Sequence, residues 1–226
     1  MLIGSFLSHN YFSSPIFGLQ NNSAISFVKE SFSFRYEINK QSKDIFQSIP
    51  KDTNRMLVCI NLRNFIFSQS SLSNNNNNNQ TSYNNNNNNN HNKNIINSNS
   101  SSLYYYLNAI YHLVSLHHQL TVVIVNENNS IDLSFVSLQK EFIRITKERF
   151  SDKQVKLIYE KRIEGNYFLM MKFISLFPVI VGYRSPFSWW SSFLCEIEKC
   201  IVIVPSLQFR NLDNQYYLPQ WTVLKG

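Results

Sequence analysis

The second half of the chain alternates β-branched runs with segments of helical spacing, and this alternation constrains its fold more than any other feature. After Ser102, a residue that can cap a helix, apolar residues recur on one helical face at Leu103, Leu107, Ile110 and Val114. Similar patterns predict strands at 120–125, 155–159, 179–182 and 200–204, and further helices at 135–145, 167–177 and 187–198. Strands and helices that alternate with short links form a parallel sheet covered by helices. We therefore predict an α/β fold.

The first third of the chain is less regular. Residues 56–60 (MLVCI) form a compact apolar run and predict another buried strand. A short helix that begins near Asn39 can end at Pro50, whereas residues 1–34 mix aromatic residues with Ser and Asn and predict short strands or an arm. This region therefore adds one strand and one helix to the predicted fold.

Between these two parts the chain becomes almost pure Asn and Ser, with two poly-Asn tracts. Such a segment cannot bury enough apolar surface to offset the entropy of ordering it. We expect residues 68–102 to be a disordered insertion, because a long loop adds little to the cost of closing the chain. Residues 56–67 and 103–226 then belong to one domain.

Composition limits the partners and the compartment. Hydrophobic residues make up 43% of the 226 positions, and the net charge of +7 comes from scattered basic residues, so we expect no nucleic-acid partner. The three cysteines form no CxxC pair, which argues against a disulfide framework or a zinc site and favours buried free thiols. The longest apolar stretch, 167–183, carries Lys172 and Pro178 and is short for a membrane span, and the N-terminus lacks the basic region of a signal peptide.

Residues 179–190 (VIVGYRSPFSWW) predict a strand, a turn and the start of a helix, an order that can hold an anion. The free N–H groups of a first helical turn point outward, and Arg184 and the serines add donors. Most such joints in α/β domains bind nothing, so a purely structural turn is the alternative. The carboxyl ends of parallel strands share one edge, where we also expect Asn61 and Arg63 after one strand and Glu127 after another.

The run SPFSWWSSFL at 185–194 resembles the SSFSWWxAxL signature of the α-1,2-fucosyltransferases of glycosyltransferase family 11. Further segments that are similar to the family's motifs follow in the family's order: 3–6 with 10–12, 58–67, 104–105 with 109–110, 122–128, 169–170, 201–205 and 219–221. The resemblance therefore spans nearly the whole chain outside the Asn-rich insertion. It implies a Rossmann-like parallel sheet with helices on both faces, similar to the C-terminal half of a GT-B glycosyltransferase.

In this family that half binds GDP-fucose, and the enzyme transfers fucose to a galactose-containing glycan with inversion and without a metal or other cofactor. The resemblance places Arg63 on the diphosphate-binding arginine of an HxRRGD motif, and it places Ser185, Phe187 and Ser188 beside the phosphates and the sugar. Weaker candidates are Asn61, Arg184 and Glu127. Animal relatives are anchored in the Golgi and bacterial ones are not, so the compartment stays open between the Golgi and the cytoplasm.

The chain also departs from the family pattern. Asn61 replaces the motif's His, which removes a group that could accept a proton, and Asn64, Phe65 and Ile66 replace its second Arg, its Gly and its Asp. Pro186 stands where the family has Ser or Thr, and the Gly-rich N-terminal loop is missing, so residues 1–55 correspond to a remnant of the linker and N-terminal region. Two alternatives stay open: an inactive or truncated relative that keeps nucleotide-sugar or glycan binding, and a basic α/β interaction module.

Overall fold

The computed structural model describes residues 22–63, 89–126, 133–206 and 217–224. Its centre is a six-stranded, all-parallel sheet with the strand order β3-β2-β1-β4-β5-β6. The strands are β1 (Met56–Leu62), β2 (Leu120–Asn126), β3 (Val155–Tyr159), β4 (Val179–Val181), β5 (Ile201–Pro205) and β6 (Thr222–Leu224). The helices are α1 (Asn22–Ser31), α2 (Tyr36–Gln47), α3 (Asn89–His117), α4 (Leu133–Arg149), α5 (Tyr167–Ile174) and α6 (Pro186–Phe193). The predicted α/β, Rossmann-like fold is confirmed.

Helices cover both faces of the sheet, which explains the apolar character of its central strands. Every residue of β2 is buried, because each of its two sets of alternating side chains meets helices. On the first face, residues such as Val58, Ile60 and Ile124 pack against α3 and α4. On the second face, Cys59 and Val123 pack with α2 and α5, where the ring of Phe46 meets those of Phe173 and Phe177.

A third apolar cluster lies at the β5–β6 end of the second face. The indole of Trp189 stacks on the ring of Phe193 at a centroid distance of 5.0 Å and also contacts Trp221 at 5.6 Å. Val28 of α1 and Phe34 after it pack against this cluster. The prediction of short strands or an arm for residues 1–34 is therefore wrong for 22–31, where a helix forms because its apolar side packs on α6 and β5. Residues 1–21 lie outside the described part.

Several element boundaries also differ from the prediction, most of all the start of α3. Helix α3 begins at Asn89 instead of Ser102, so it runs through the second part of the segment expected to be disordered; 64–88 lie outside the described residues. Once a buried turn such as that around Tyr105 has nucleated a helix, adding residues to it costs little even for Asn. Helix α6 ends at Phe193 instead of Glu198, and the short edge strand β6 was not predicted.

A disulfide joins Cys195 to Cys200 across the loop that follows α6, which corrects the expectation of free thiols at these two positions. The helix ends at Phe193 and the chain turns back into β5, so two cysteines five positions apart meet with their Cα atoms 6.5 Å apart. Cys59 is free and fully buried, and this burial raises the pKa of its thiol.

Reduction of the disulfide is expected to lower the free energy of unfolding by about 2 kcal/mol, because a loop this short restricts the unfolded chain only modestly. Urea titrations followed by circular dichroism, with and without reductant, would measure the loss. The double variant Cys195→Ala/Cys200→Ala is the control, since reductant should not change its stability further. An unchanged wild-type midpoint in reductant would contradict the prediction.

No helix in the described ranges is long and apolar enough to cross a membrane.

Candidate functional site

The chain adds β2 and β3 on one side of β1, and then β4, β5 and β6 on the other side. The switch point between these two directions lies between β1 and β4, at the centre of the sheet. Loops that leave two such strands at their carboxyl ends run to opposite faces, so a crevice opens between them, where ligands of doubly wound sheets bind. Ile60 pairs with Val181, which makes Asn61 and Gly182 neighbours one position further along. The predicted candidates on β1 and after β4 therefore meet at this edge, which we call the carboxyl edge.

Arg63 follows β1 directly and leans toward β4. Its backbone N–H donates to the hydroxyl of Tyr106 at 3.0 Å, and this hydroxyl donates to the carbonyl of Asn61 at 2.9 Å. The guanidinium carbon lies 5.8 Å from the centroid of the Tyr183 ring, a distance within the range of a cation–π contact. The structure thus brings Arg63 to the first residue of the turn that contains Ser185 and Ser188.

The turn from β4 to α6 is held by its own serines. Ser185 caps the helix, since its hydroxyl accepts from the backbone N–H of Ser188 at 3.0 Å. The Ser188 hydroxyl in turn accepts from the backbone N–H of Tyr183 at 2.6 Å, and Pro186 occupies the first helical turn, where its missing N–H is tolerated. Both serines are buried, so their hydroxyls hold the shape of the turn.

These bonds leave fewer backbone donors at the start of α6 than a bare helix terminus has. The N–H of Ser185 donates to the Tyr183 carbonyl, that of Ser188 to the Ser185 hydroxyl, and Pro186 has none. Among the described residues, the Phe187 N–H has no backbone or side-chain acceptor, which leaves it available at the helix N-terminus. The Phe187 ring itself is half-buried and packs edge-on against Tyr167 at 5.8 Å.

Gly182 is needed at the end of β4 because the serine hydroxyls of α6 come close to its Cα. A Cβ at this position would lie 2.9 Å from the hydroxyl oxygen of Ser188 and 3.4 Å from that of Ser192. Real Cβ atoms do not come this close to a neighbour, so glycine allows Ser188 to reach the Tyr183 amide. The tight β4–α6 turn therefore depends on this residue.

Buried tyrosine hydroxyls fix the carbonyl groups at the carboxyl edge, and reasoning from the sequence missed them. The Tyr105 hydroxyl lies 2.8 Å from the carbonyl oxygen of Gly182 and 3.0 Å from that of Ile203. Burial, together with the neighbouring Tyr106 and Tyr217, raises its pKa well above the ordinary value, so it stays protonated. Tyr217 donates to the Pro205 carbonyl at 2.8 Å. The sequence feature that could have indicated them is the adjacent pair Tyr105 and Tyr106, on a helix that faces the strand ends.

The weaker candidates have different surroundings. Arg184 donates to the carbonyl of Ser206 and thereby ties the turn to the end of β5. Asn61 is fully buried. Glu127 lies outside the described residues. Asn126, just before it, ends β2 at the same edge.

Carboxylates at this edge follow β3. Glu160 is buried and accepts from the Arg162 side chain at 2.8 and 2.6 Å. Burial alone would raise the pKa of Glu160, but the hydrogen bonds and the charge of Arg162 outweigh it and lower that pKa. Glu164 accepts from the Tyr159 hydroxyl, and burial together with this bond raises the pKa of Tyr159 to about 12.

No family model, no curated protein and no solved structure matches this chain. Its interpretation therefore depends on the geometry of the carboxyl edge and on the motif resemblance. In the described part of the chain, no three His, Cys, Asp or Glu side chains are grouped to hold a metal ion.

Proposed function

We propose that this chain binds a sugar nucleotide at its switch point and is a glycosyltransferase-like protein that resembles galactoside α-1,2-fucosyltransferases. The observation that carries the proposal is the position of Arg63, which extends from the end of β1 over Tyr183 at the start of the β4–α6 turn. A guanidinium beside the turn that leads into a helix at a switch point suits a diphosphate, because the arginine and the helix N-terminus both supply donors and positive potential.

The proposed donor is GDP-fucose and the proposed acceptor is a galactose-containing glycan. In an inverting transfer, a galactose hydroxyl attacks the fucose anomeric carbon while the bond from that carbon to the diphosphate oxygen breaks. GDP leaves with the bonding electrons, and the hydroxyl proton passes to a base. Arg63 and the Phe187 N–H would stabilise the charge that develops on the leaving diphosphate.

Isothermal titration with GDP tests the proposal. We expect saturable 1:1 binding to the wild-type chain, and binding about 10- to 100-fold weaker in Arg63→Ala, since a charge-assisted hydrogen bond contributes about 1.5–3 kcal/mol. Arg63→Lys should fall between the two because it keeps the charge but loses the planar fork.

The matched control is Arg144→Ala, which removes the same charge from the exposed side of α4, where Arg144 pairs with Glu141 and Glu148. This variant should bind GDP as the wild type does. Absence of GDP binding by the wild-type chain, or equal binding by Arg63→Ala, would refute the sugar-nucleotide site.

A second candidate function is binding without transfer, as in an inactive relative. It is favoured by the carboxylates after β3, since Glu160 and Glu164 are both engaged by neighbouring side chains, and by Asn61 in the place of the motif's His. An assay of fucose transfer from GDP-fucose to lactose separates the two functions. Transfer that disappears in Arg63→Ala supports the enzyme, whereas GDP binding without transfer supports the inactive relative.

A further inference from the structure

An open cavity of about 500 Å³ lies at the edge of the sheet opposite Arg63, which we call the amino edge. Its walls are α1, the segment that joins α1 to α2, the last turn of α5 and the disulfide loop at 194–198. Helix α5 leads into β4 and the loop leads into β5, which places both at the amino ends of these strands. The volume falls within the range of about 300–1,000 Å³ that small-molecule sites occupy.

Lys29 brings a positive charge to this cavity, and none of the described carboxylates pairs with it. Its ammonium donates to the carbonyl of Cys195 at 3.2 Å and lies 5.7 Å from the centroid of the Phe193 ring. Within the described residues, no carboxylate is within ion-pair distance of it. Partial burial lowers the pKa of Lys29. A bound carboxylate would supply a counter-charge.

Lys172 already has such a partner, which sets it apart from Lys29. Its side chain is 3% exposed, its ammonium contacts the Glu196 carboxylate, and it lies 5.5 Å from the centroid of the Phe34 ring. Burial, and to a smaller extent the charge of Lys43, lowers the pKa of Lys172 to about 8 even so. Lys172 and Glu196 therefore form the neutral floor of the cavity, and Lys29 is left as its anion-binding group.

Asn39 and Glu198 add polar groups to the lining of the cavity. Asn39 of α2 lies in the wall, with its side-chain oxygen buried behind the cavity surface. The exposed carboxylate of Glu198 also lines the cavity and favours a positive charge there.

We infer that the amino-edge cavity binds a free α-amino acid with an apolar side chain. The ligand carboxylate would pair with Lys29, its ammonium group would pair with Glu198, and its side chain would contact Phe34. A zwitterion matches this lining because the two lysines and the two glutamates balance in charge. The site is independent of the proposed sugar-nucleotide site at the opposite edge.

Calorimetric titration of the full chain with L-phenylalanine and with L-leucine tests the inference. We expect saturable binding of at least one of them, and binding at least about 10-fold weaker for 2-phenylethylamine, which lacks the carboxylate, and for 3-phenylpropionate, which lacks the amine. These analogue measurements use the wild-type protein and so do not depend on a variant that folds.

Variants then assign the two groups. Lys29→Met should weaken phenylalanine binding at least about 10-fold and should leave 2-phenylethylamine binding unchanged, because only the carboxylate contact is lost. Glu198→Gln should reduce phenylalanine affinity without changing the affinity for 3-phenylpropionate, because only the ammonium contact is weakened. Lys40→Met, on the exposed side of α2, carries the same charge change as Lys29→Met and serves as the control, with unchanged binding expected.

Three results would overturn the inference: no saturable binding of either amino acid, equal affinity for phenylalanine and 2-phenylethylamine, or unchanged phenylalanine binding in Lys29→Met. The Arg63→Ala variant should bind phenylalanine normally. A failure of GDP binding and a failure of amino-acid binding are therefore separate outcomes.

Discussion

Trp189→Ala is expected to lower the free energy of unfolding by about 3–5 kcal/mol, because it removes a large ring from a packed cluster and leaves a cavity. Trp189 is 3% exposed, and its indole contacts Phe193, Trp190 and Trp221 at centroid distances of 5.0–5.6 Å. Because these rings join α6 to β6, the loss should affect the whole β5–β6 end of the sheet. Urea titration followed by far-ultraviolet circular dichroism measures it by linear extrapolation.

The adjacent Trp190→Ala is the matched control, with the same change in side chain on the same helix. Trp190 is only half-buried, and its ring lies 6.2 Å from that of the partly exposed Phe32. We expect a loss of about 1–2 kcal/mol, since part of its surface already contacts water. Equal losses in the two variants would show that the cluster does not pack around Trp189.

Gly182→Ala is expected to lower the free energy of unfolding by about 2–6 kcal/mol, although it adds a single methyl group. The new Cβ would lie 2.9 Å from the Ser188 hydroxyl, so that hydroxyl has to move away from the Tyr183 N–H that it accepts from. Overpacking of this kind costs about 1–3 kcal/mol. A buried N–H that loses its acceptor costs about 1–3 kcal/mol more.

A double-mutant cycle with Ser188→Ala separates the two contributions. Ser188→Ala alone should cost about 1–3 kcal/mol, because it leaves the Tyr183 N–H without an acceptor. If the clash is with Ser188, the double variant should be more stable than the sum of the two single losses predicts. Strictly additive losses, measured by the same urea titrations, would contradict this explanation.

The fold was predictable where local pattern and burial agree. Strand β2 is buried throughout because both faces of the sheet are covered. Its largely apolar sequence LTVVIV therefore predicts a central strand. Helix α1 and strand β6 were missed because tertiary contacts hold them: Val28 packs on the Trp189 cluster, and Val223 pairs with Val204 at the sheet edge. Such short elements carry little signal of their own.

The candidate site was predictable in its location and less so in its detail. The strand-end rule correctly brought Arg63 and the β4–α6 turn to one edge, because parallel strands share their carboxyl ends. It could not show that Ser185 and Ser188 bond to the turn itself, since those partners depend on the close approach at Gly182. The amino-edge cavity is formed by α1, α2 and the disulfide loop, which no local pattern connects.

The parallel pairing of β1 with β4 also has a consequence for the order in which the chain folds. Val58 pairs with Val179, and α3, β2, α4, β3 and α5 lie between them in the chain. During synthesis, β1 and β2 can pair early, but the crevice between β1 and β4 cannot close before residues near Ser188 have left the ribosome. Pairing between distant segments is slow because the intervening chain must be ordered first. We therefore expect the Arg63 edge to form in the last step of folding, so that a ligand bound there would stabilise only the completed domain.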